Sequence, residues 1–167
     1  MFDLYHVTRS EPYNDFPKLK VGDFFSVGSV FNPFFSCFDK YPDYAESKDG
    51  SALLERELLL EDVRSNYYSH MPSRQTCLWV TRSLSEAIEW FQHFVNLGNL
   101  EISLVTLETS DEPFKVDSML LPLEKDSPEE KLEKVHAYWS GRMSINPMPE
   151  YLFEGQAKVK AISPLHH

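Results

Sequence analysis

The stretch Met148-Pro-Glu-Tyr-Leu-Phe-Glu-Gly-Gln-Ala-Lys-Val159 places an acidic residue at the start of an apolar strand. Glu150 directly follows Pro149, and a proline, which cannot donate a hydrogen bond to a neighbouring strand, usually marks the first residue or the edge of a strand. Gly155 then supplies a turn before a second alternating segment. We therefore predict that Glu150 lies at the mouth of a strand, where a ligand can reach its carboxylate. The alternative is a solvated edge charge, which is the commonest environment of a glutamate.

Length and composition indicate a packed globular protein. The 167 residues are enough for one domain with its own core, and 42% of them are hydrophobic and 14% aromatic. We therefore expect a single domain over residues 1–167. The formal net charge of −10 argues against non-specific attraction to a nucleic-acid backbone, which needs a basic face.

Several functional classes lack their sequence signals. Cys37 and Cys77 form neither a disulfide framework nor a metal-ligand spacing, so we expect two core thiols in a reducing compartment and no metal. There is no apolar run of about 18 residues and no N-terminal basic-then-apolar segment, so we expect no membrane span, no secretory signal and a cytoplasmic location. Nucleophile-elbow, P-loop, dinucleotide-fingerprint and zinc-protease motifs are also missing.

The N-terminal half begins with a strand over residues 2–8, whose alternation includes His6; the alternative for this histidine is a hydrogen-bonded structural role. Prolines and glycines predict a loop with short strands over residues 11–50. Its aromatic part, residues 31–44, is expected to fold over the domain, either as a lid or as packed core. A helix is predicted from Ser51 to about Ser69, with Glu57, Glu61 and Arg64 on a solvated charged face.

The C-terminal half alternates strands and capped helices. Strands are predicted over residues 76–81, 100–109 and 113–116. A capping box at Ser83 begins a helix over residues 84–97, in which Trp90 is either a core aromatic or faces a ligand. Ser127 and Pro128 begin another helix that ends near Trp139. The predicted fold is α+β: a split, mainly antiparallel β-sheet sandwich with about three helices and a cleft between the sheet halves.

Three of these segments resemble the His-Tyr-Glu branch of the ADP-ribosyltransferase superfamily, found in diphtheria-like toxins and poly(ADP-ribose) polymerases. Leu4-Tyr-His-Val-Thr8 is similar to the L-Y-H-G-T or L-Y-H-G-S strand of that branch. Cys77-Leu-Trp-Val-Thr81, with the Ala87-containing helix, is similar to its G-I-Y-F-A segment and S-x-S-A-x-Y helix. Pro149-Glu-Tyr-Leu-Phe153 with Gln156 resembles N-E-Y-I-V-Y followed by a glutamine. Val7 stands where the family has glycine, and Trp79 where it has tyrosine. The residue 56–64 and 72–74 segments also resemble an uncharacterised bacterial and prophage-associated family of small proteins, which we place in the same superfamily.

The resemblance implies an ADP-ribosyltransferase-like fold and an NAD site. Glu150 would be catalytic, His6 would hold the adenosine ribose, and the backbone of Val7, with Thr8 beside it, would bind the nicotinamide carboxamide. Trp79 and Trp90 would bound an aromatic slot for the flat nicotinamide ring. Arg74 is a candidate for the pyrophosphate, because a guanidinium matches phosphate geometry; the alternative is a structural ion pair.

These observations lead to one functional hypothesis and two alternatives. The first is an NAD-dependent mono-ADP-ribosyltransferase, with NAD as substrate and no metal, that modifies a protein or nucleic acid as an intracellular bacterial toxin or effector. An antitoxin or immunity protein is a candidate partner, and no membrane is involved. The second is a non-catalytic nucleotide- or protein-binding module on the same fold, favoured by the departures at Val7 and Trp79. The third, an RNA 2′-phosphate-removing relative, would need clustered basic phosphate ligands.

Overall fold

Seven strands and five α-helices follow one another in the part of the chain that the structure, a computed structural model, describes: residues 1–9, 18–99 and 101–165. The elements are β1 (Phe2–Arg9), β2 (Phe24–Val27), α1 (Pro33–Lys40), α2 (Pro42–Glu46), α3 (Lys48–Tyr67), β3 (Leu78–Val80), α4 (Leu84–Asn96), β4 (Ile102–Thr109), β5 (Phe114–Asp117), α5 (Pro128–Trp139), β6 (Pro149–Phe153) and β7 (Gly155–Leu165). A 3₁₀ turn, Ser118–Leu120, follows β5. Among these residues, no helix is long and apolar enough to cross a membrane.

The strands form two antiparallel sheets. One has the order β1-β4-β7-β2 and the other β3-β6-β5. Within the described residues, one β-bridge joins the two sheets: Tyr5 N donates to Thr81 O at 3.0 Å, and Thr81 N donates to Tyr5 O at 2.8 Å. The mixed α+β class and the split antiparallel sheet are therefore confirmed, and β1 lies beside β3 although more than 70 residues separate them in the chain.

Two apolar clusters share strand β6. In the helix-side core, α3 and α5 pack against the smaller sheet; its buried members include Leu60, Val135, Trp139 and Leu152. The sheet core lies between the two sheets, and its buried members include Leu4, Val105, Tyr151 and Phe153. Successive residues of a strand point to opposite faces, so β6 is apolar on both. Each fully buried side chain of this kind stabilises the fold by about 1.5–3 kcal/mol.

The largest difference from the predicted fold is in residues 31–50, which contain two short helices and the start of α3 rather than loop. Asn32 Oδ1 accepts a hydrogen bond from Phe35 N at 2.9 Å and so caps α1. Pro33 and Pro42 occupy the first positions of α1 and α2, where a missing N–H costs nothing. Residues 10–17 lie outside the described part of the chain.

The remaining boundaries agree with the prediction to within about three residues. The helix predicted from residue 51 begins at Lys48, because Ser47 accepts a hydrogen bond from Gly50 N. Both predicted capping serines, Ser83 and Ser127, form capping boxes. Cys37 and Cys77 are buried thiols in the core, as predicted. Leu100, at the start of a predicted strand, is outside the described residues.

Candidate active site

A cavity of about 400 Å³ opens where β1, β3 and β6 come together. All seven residues that the sequence predicted for the site line this cavity: His6, Val7, Thr8, Arg74, Trp79, Trp90 and Glu150. Helix α4 closes one side with His93, Phe94 and Leu97, and α1 adds Phe34. The volume is within the range of pockets that bind cofactors and drug-sized ligands, and most of the lining is aromatic or aliphatic.

His6 is buried next to the bridge between the sheets and is tied to β3. Its Nδ1 lies 2.8 Å from Trp79 O, and because a carbonyl only accepts, Nδ1 must be the protonated nitrogen. Burial is the largest effect on the pKa of His6 and lowers it below its ordinary value of 6.5. Arg9 also lowers this pKa, and the hydrogen bond to Trp79 raises it by less than burial lowers it. The imidazole is therefore neutral at pH 7, and its Nε2 has an acceptor lone pair. On the same strand, the Thr8 hydroxyl donates to Ser103 O of β4 at 3.3 Å.

The two indoles are fixed by different elements. Trp90 Nε1 on α4 donates to Pro149 O at 2.8 Å, which attaches this ring to the residue before Glu150. Trp79 on β3 meets the ring of Phe34 edge-on, with 5.4 Å between the ring centroids. Asn32 holds Phe34 there, because its Nδ2 donates to Arg74 O at 2.8 Å and to Cys77 O at 3.0 Å. The aromatic segment 31–44 is therefore packed on the domain at the cavity edge.

Glu150 is only 6% exposed, yet its carboxylate is part of the cavity wall. The alternation of β6 places Glu150 and Leu152 on the face towards the helix-side core. Its Oε1 accepts hydrogen bonds from Arg74 Nη1 at 2.5 Å and from the Tyr138 hydroxyl at 2.7 Å. Within the described part of the chain, Oε2 accepts no hydrogen bond. One carboxylate oxygen is thus held by the protein and the other is left for a ligand.

Arg74 is 5% exposed, and its guanidinium donates hydrogen bonds to three side chains. Nε and Nη2 donate to Glu57 at 2.8 and 3.2 Å, while Nη1 donates to the Tyr138 hydroxyl and to Glu150. Burial alone would lower the pKa of Arg74, but Glu57, Tyr138 and Glu150 raise it well above its ordinary range. These bonds leave little of the guanidinium for a pyrophosphate. The structure thus favours the ion pair that the sequence left open as the alternative.

The prediction that Glu57 belongs to a solvated face is wrong: this residue is 1% exposed. It lies three residues before Leu60 and six before Val63, which are the buried positions of α3, so helical spacing turns it inward. Burial raises the pKa of Glu57, but Arg74 and Arg56 lower it by more, so the net shift is downward. The sequence analysis assigned Glu57 to the polar face because its neighbours in the sequence are charged, although its spacing from Leu60 and Val63 indicates a buried position. Glu61 does pair with Arg64 near the surface, at 2.7 Å.

Sequence reasoning also missed three polar residues of the site. Tyr138 is fully buried on α5, where its spacing from Val135 indicated burial but no polar role. Arg9 follows directly after the predicted first strand, and its guanidinium lies 4.1 Å from the centre of the Phe94 ring. Arg56 lines the cavity and bonds Glu57 at 2.8 Å. Among the described lining residues, three are arginines and one, Glu150, is a carboxylate; the buried carboxylate of Glu57 is paired with Arg56 and Arg74.

Asp117 fixes the rim of the cavity. This carboxylate is fully buried and accepts hydrogen bonds from the backbone N–H groups of Met119, Ser144 and Met148 at 3.0, 2.8 and 3.0 Å. Burial opposes its charge, but these donors outweigh burial and lower the pKa of Asp117. Met119 and Met148 both line the cavity, so Asp117 sets the position of the loop that leads to Glu150. In the described residues, no group of three or more His, Cys, Asp or Glu side chains is arranged to hold a metal ion.

Residues 43–164 match the model of a family described as "Protein of unknown function (DUF2441)". The match covers well over half of the chain. It contains Glu57, Arg74, Tyr138 and Glu150, whereas strand β1 with His6 lies outside it. No curated protein matches the sequence. The description names no activity, so a function for this chain has to be argued from the geometry of the cavity.

Proposed function

We propose that this chain, which belongs to the DUF2441 family, is an NAD-dependent mono-ADP-ribosyltransferase that transfers ADP-ribose to a macromolecular acceptor. The observation that supports this proposal most directly is that His6, Trp79 and Glu150 line one cavity although they come from three strands far apart in sequence. The carboxylate can stabilise the positive charge that develops when a nicotinamide–ribose bond is cleaved, and the imidazole and two indoles suit the binding of a ribose hydroxyl and a flat ring.

Glu150 is the catalytic residue of the proposal. When the bond between ribose C1′ and the nicotinamide nitrogen breaks, the electron pair leaves with nicotinamide and positive charge develops on the sugar. A carboxylate oxygen facing the ribose stabilises that charge as it forms, and Oε2 of Glu150 is available for this. The acceptor then attacks C1′ and loses its proton to solvent.

The aromatic wall suits nicotinamide. A flat heteroaromatic ring gains most from contact with indole faces, and Trp79 and Trp90 line the cavity close to Glu150. The hydrogen bond from Trp90 to Pro149 O keeps that indole beside the catalytic strand. Neutral His6 supplies an acceptor for a ribose hydroxyl, since its Nδ1 proton is directed to Trp79 O.

Arg56 and Arg9, rather than Arg74, are the proposed partners of the pyrophosphate. Arg56 lines the cavity and its side chain is 26% exposed, although its Nε and Nη2 also donate to Glu57 Oε1; Arg74 is almost fully buried between Glu57 and Glu150. Guanidinium groups favour phosphate oxygens by bidentate, charge-assisted hydrogen bonds. In the described lining, three arginines face one carboxylate, which is consistent with an anionic ligand at this position.

The proposal is tested by incubating the protein with NAD labelled in its adenylate part, with and without cell lysate, and measuring nicotinamide release and label bound to macromolecules. Glu150→Gln preserves the shape of the side chain and removes its charge, so we expect both signals to fall by a factor on the order of 10²–10³. Glu154→Gln is the matched control: this acid is four residues further on, accepts hydrogen bonds from Ser73 N and Thr76 Oγ1, and lies outside the cavity lining.

Equal activity in the Glu150→Gln and unmodified proteins would remove Glu150 from its role. Tight NAD binding in a calorimetric titration, without any nicotinamide release, would favour the nucleotide-binding module instead.

A further inference from the structure

Glu57, Arg74, Tyr138 and Glu150 form a buried chain of hydrogen bonds, here named the Arg74 cluster. Arg74 Nη1 lies 2.6 Å from the Tyr138 oxygen, and that oxygen lies 2.7 Å from Glu150 Oε1. All four residues are at most 6% exposed. Only Glu150 has a defined task in the proposed reaction, so the other three need an explanation.

We propose that Tyr138 and Arg74 are positioning residues, which hold Oε1 of Glu150 so that Oε2 points at the reacting bond. This inference rests on the proposed function, because it assigns the two residues to the reaction through Glu150. Neither of them is required to touch NAD.

The directions of the hydrogen bonds in the cluster are fixed by its chemistry. A guanidinium only donates and an ionised carboxylate only accepts, so the Tyr138 hydroxyl must accept from Arg74 and direct its own proton to Glu150. Burial raises the pKa of Tyr138 well above its ordinary value, with Glu150 raising it further and Arg74 lowering it. The phenol therefore remains a donor over the working pH range. Among the described residues, Glu57 acts on Arg74 from α3, and Cys77, whose pKa is raised by burial, lies within the field of Arg74, Glu150, Glu57 and Glu154.

Two hydrogen-bond donors that reach Oε1 from different directions fix the orientation of the Glu150 carboxylate more tightly than one donor would. A carboxylate held at one point rotates about its terminal bond, whereas Oε1 receives Arg74 from the residue 74–77 turn and Tyr138 from α5. Glu57 of α3 anchors Arg74 with two further bonds. Trp139 Nε1 joins α5 to α3 through Leu60 O at 2.9 Å, so the two helices and their polar side chains form one rigid support.

The test variant is Tyr138→Phe, which removes one hydroxyl and keeps the ring. We expect kcat for nicotinamide release to fall by a factor on the order of 10 to 100, because small misplacements of a reacting group are costly, while KM for NAD stays within about twofold. Tyr68→Phe is the control, since the Tyr68 hydroxyl also bonds a residue of α5, His136, whereas the Tyr138 hydroxyl bonds Arg74 and Glu150. It should leave both constants unchanged.

A merely structural Tyr138 would lower thermal stability without separating kcat from KM, so thermal unfolding is measured for both variants. If Tyr138→Phe does not fold, Arg74→Lys replaces it, because an ammonium keeps the charge but cannot bond Glu57 and Glu150 in the same geometry.

Crystal structures of the unmodified protein and Tyr138→Phe separate this inference from the proposed function. The inference predicts that the Glu150 carboxylate turns when the hydroxyl is lost, whether or not NAD proves to be the substrate. An unchanged carboxylate orientation, or an unchanged kcat in an active protein, would overturn it. Absence of nicotinamide release from the unmodified protein would instead refute the proposed function.

Discussion

At the residue scale, burial decides the chemistry of His6. Loss of water around the ring lowers the pKa of His6 in the folded protein. In the unfolded chain this histidine is protonated near pH 6.5, whereas in the folded protein it is protonated only at a lower pH. The unfolded state therefore binds more protons as pH falls below about 6.5, and the free energy of unfolding decreases until the pKa of the folded state is reached. For this histidine, stability is lost on acidification and is complete above about pH 7.5.

This prediction is tested with His6→Asn, whose amide can still donate to Trp79 O. We expect the free energy of unfolding of the unmodified protein to fall more steeply between pH 7.5 and pH 5.5 than that of the variant, by at most about 1.4 kcal/mol per pH unit. Urea unfolding of both proteins at both pH values gives the four free energies. Because the other histidines are the same in the two proteins, their contributions cancel in the comparison. Parallel pH profiles would mean that His6 is protonated equally in the folded and unfolded states.

Glu57 gives the second prediction at this scale. Glu57→Gln leaves the buried Arg74 without its main anionic partner, and breaking a buried pair on one side typically costs about 3–5 kcal/mol. Glu61→Gln removes a partly exposed partner of Arg64, and we expect a loss of no more than about 1 kcal/mol. The two free energies of unfolding are compared by urea denaturation at pH 7. Similar small losses would contradict the central place of Glu57 in the Arg74 cluster.

At the element scale, one carboxylate organises the segment between β5 and β6. Asp117→Asn replaces one acceptor oxygen with an amide that repels the backbone N–H groups of Ser144, Met119 or Met148. We expect the free energy of unfolding to fall by about 2 kcal/mol, the cost of leaving buried donors unsatisfied. Asp23→Asn is the control, because among the described residues the Asp23 side chain accepts from Lys20 N alone, in an exposed turn. Equal effects of the two substitutions would contradict this role of Asp117.

The elements also show which features the sequence could predict. Helices α4 and α5 were predictable because a serine cap and apolar periodicity agree at Ser83 and Ser127. Helix α3 was predictable from its apolar spacing alone, and its start at Lys48, after the Ser47 cap, was missed. The two short helices in residues 33–46 were not predictable, because their prolines suggest loop unless each is recognised as a first helical residue. The pairing of β2 with β7 depends on contacts across most of the chain, which local patterns do not contain.

At the scale of the whole molecule, the site depends on a fold that brings distant segments together. The seven predicted site residues line one cavity. Six of them come from the three segments described above and the seventh is Arg74; their chemical roles remain predictions. The Arg74 cluster was not predictable, because it joins α3, the residue 74–77 turn, α5 and β6, and only the packed helix-side core places these together. Net charge carries no information about one cavity: the described lining contains three arginines and one glutamate in a chain of net charge −10.

A crystal structure of the Glu150→Gln protein with NAD is the most direct test of the proposed site, because loss of the carboxylate charge should preserve uncleaved NAD in the cavity. We expect the nicotinamide ring against Trp79 and Trp90, with its ribose beside the side chain of residue 150 and the pyrophosphate near Arg56 or Arg9. NAD bound elsewhere, or an empty cavity at saturating NAD, would contradict it.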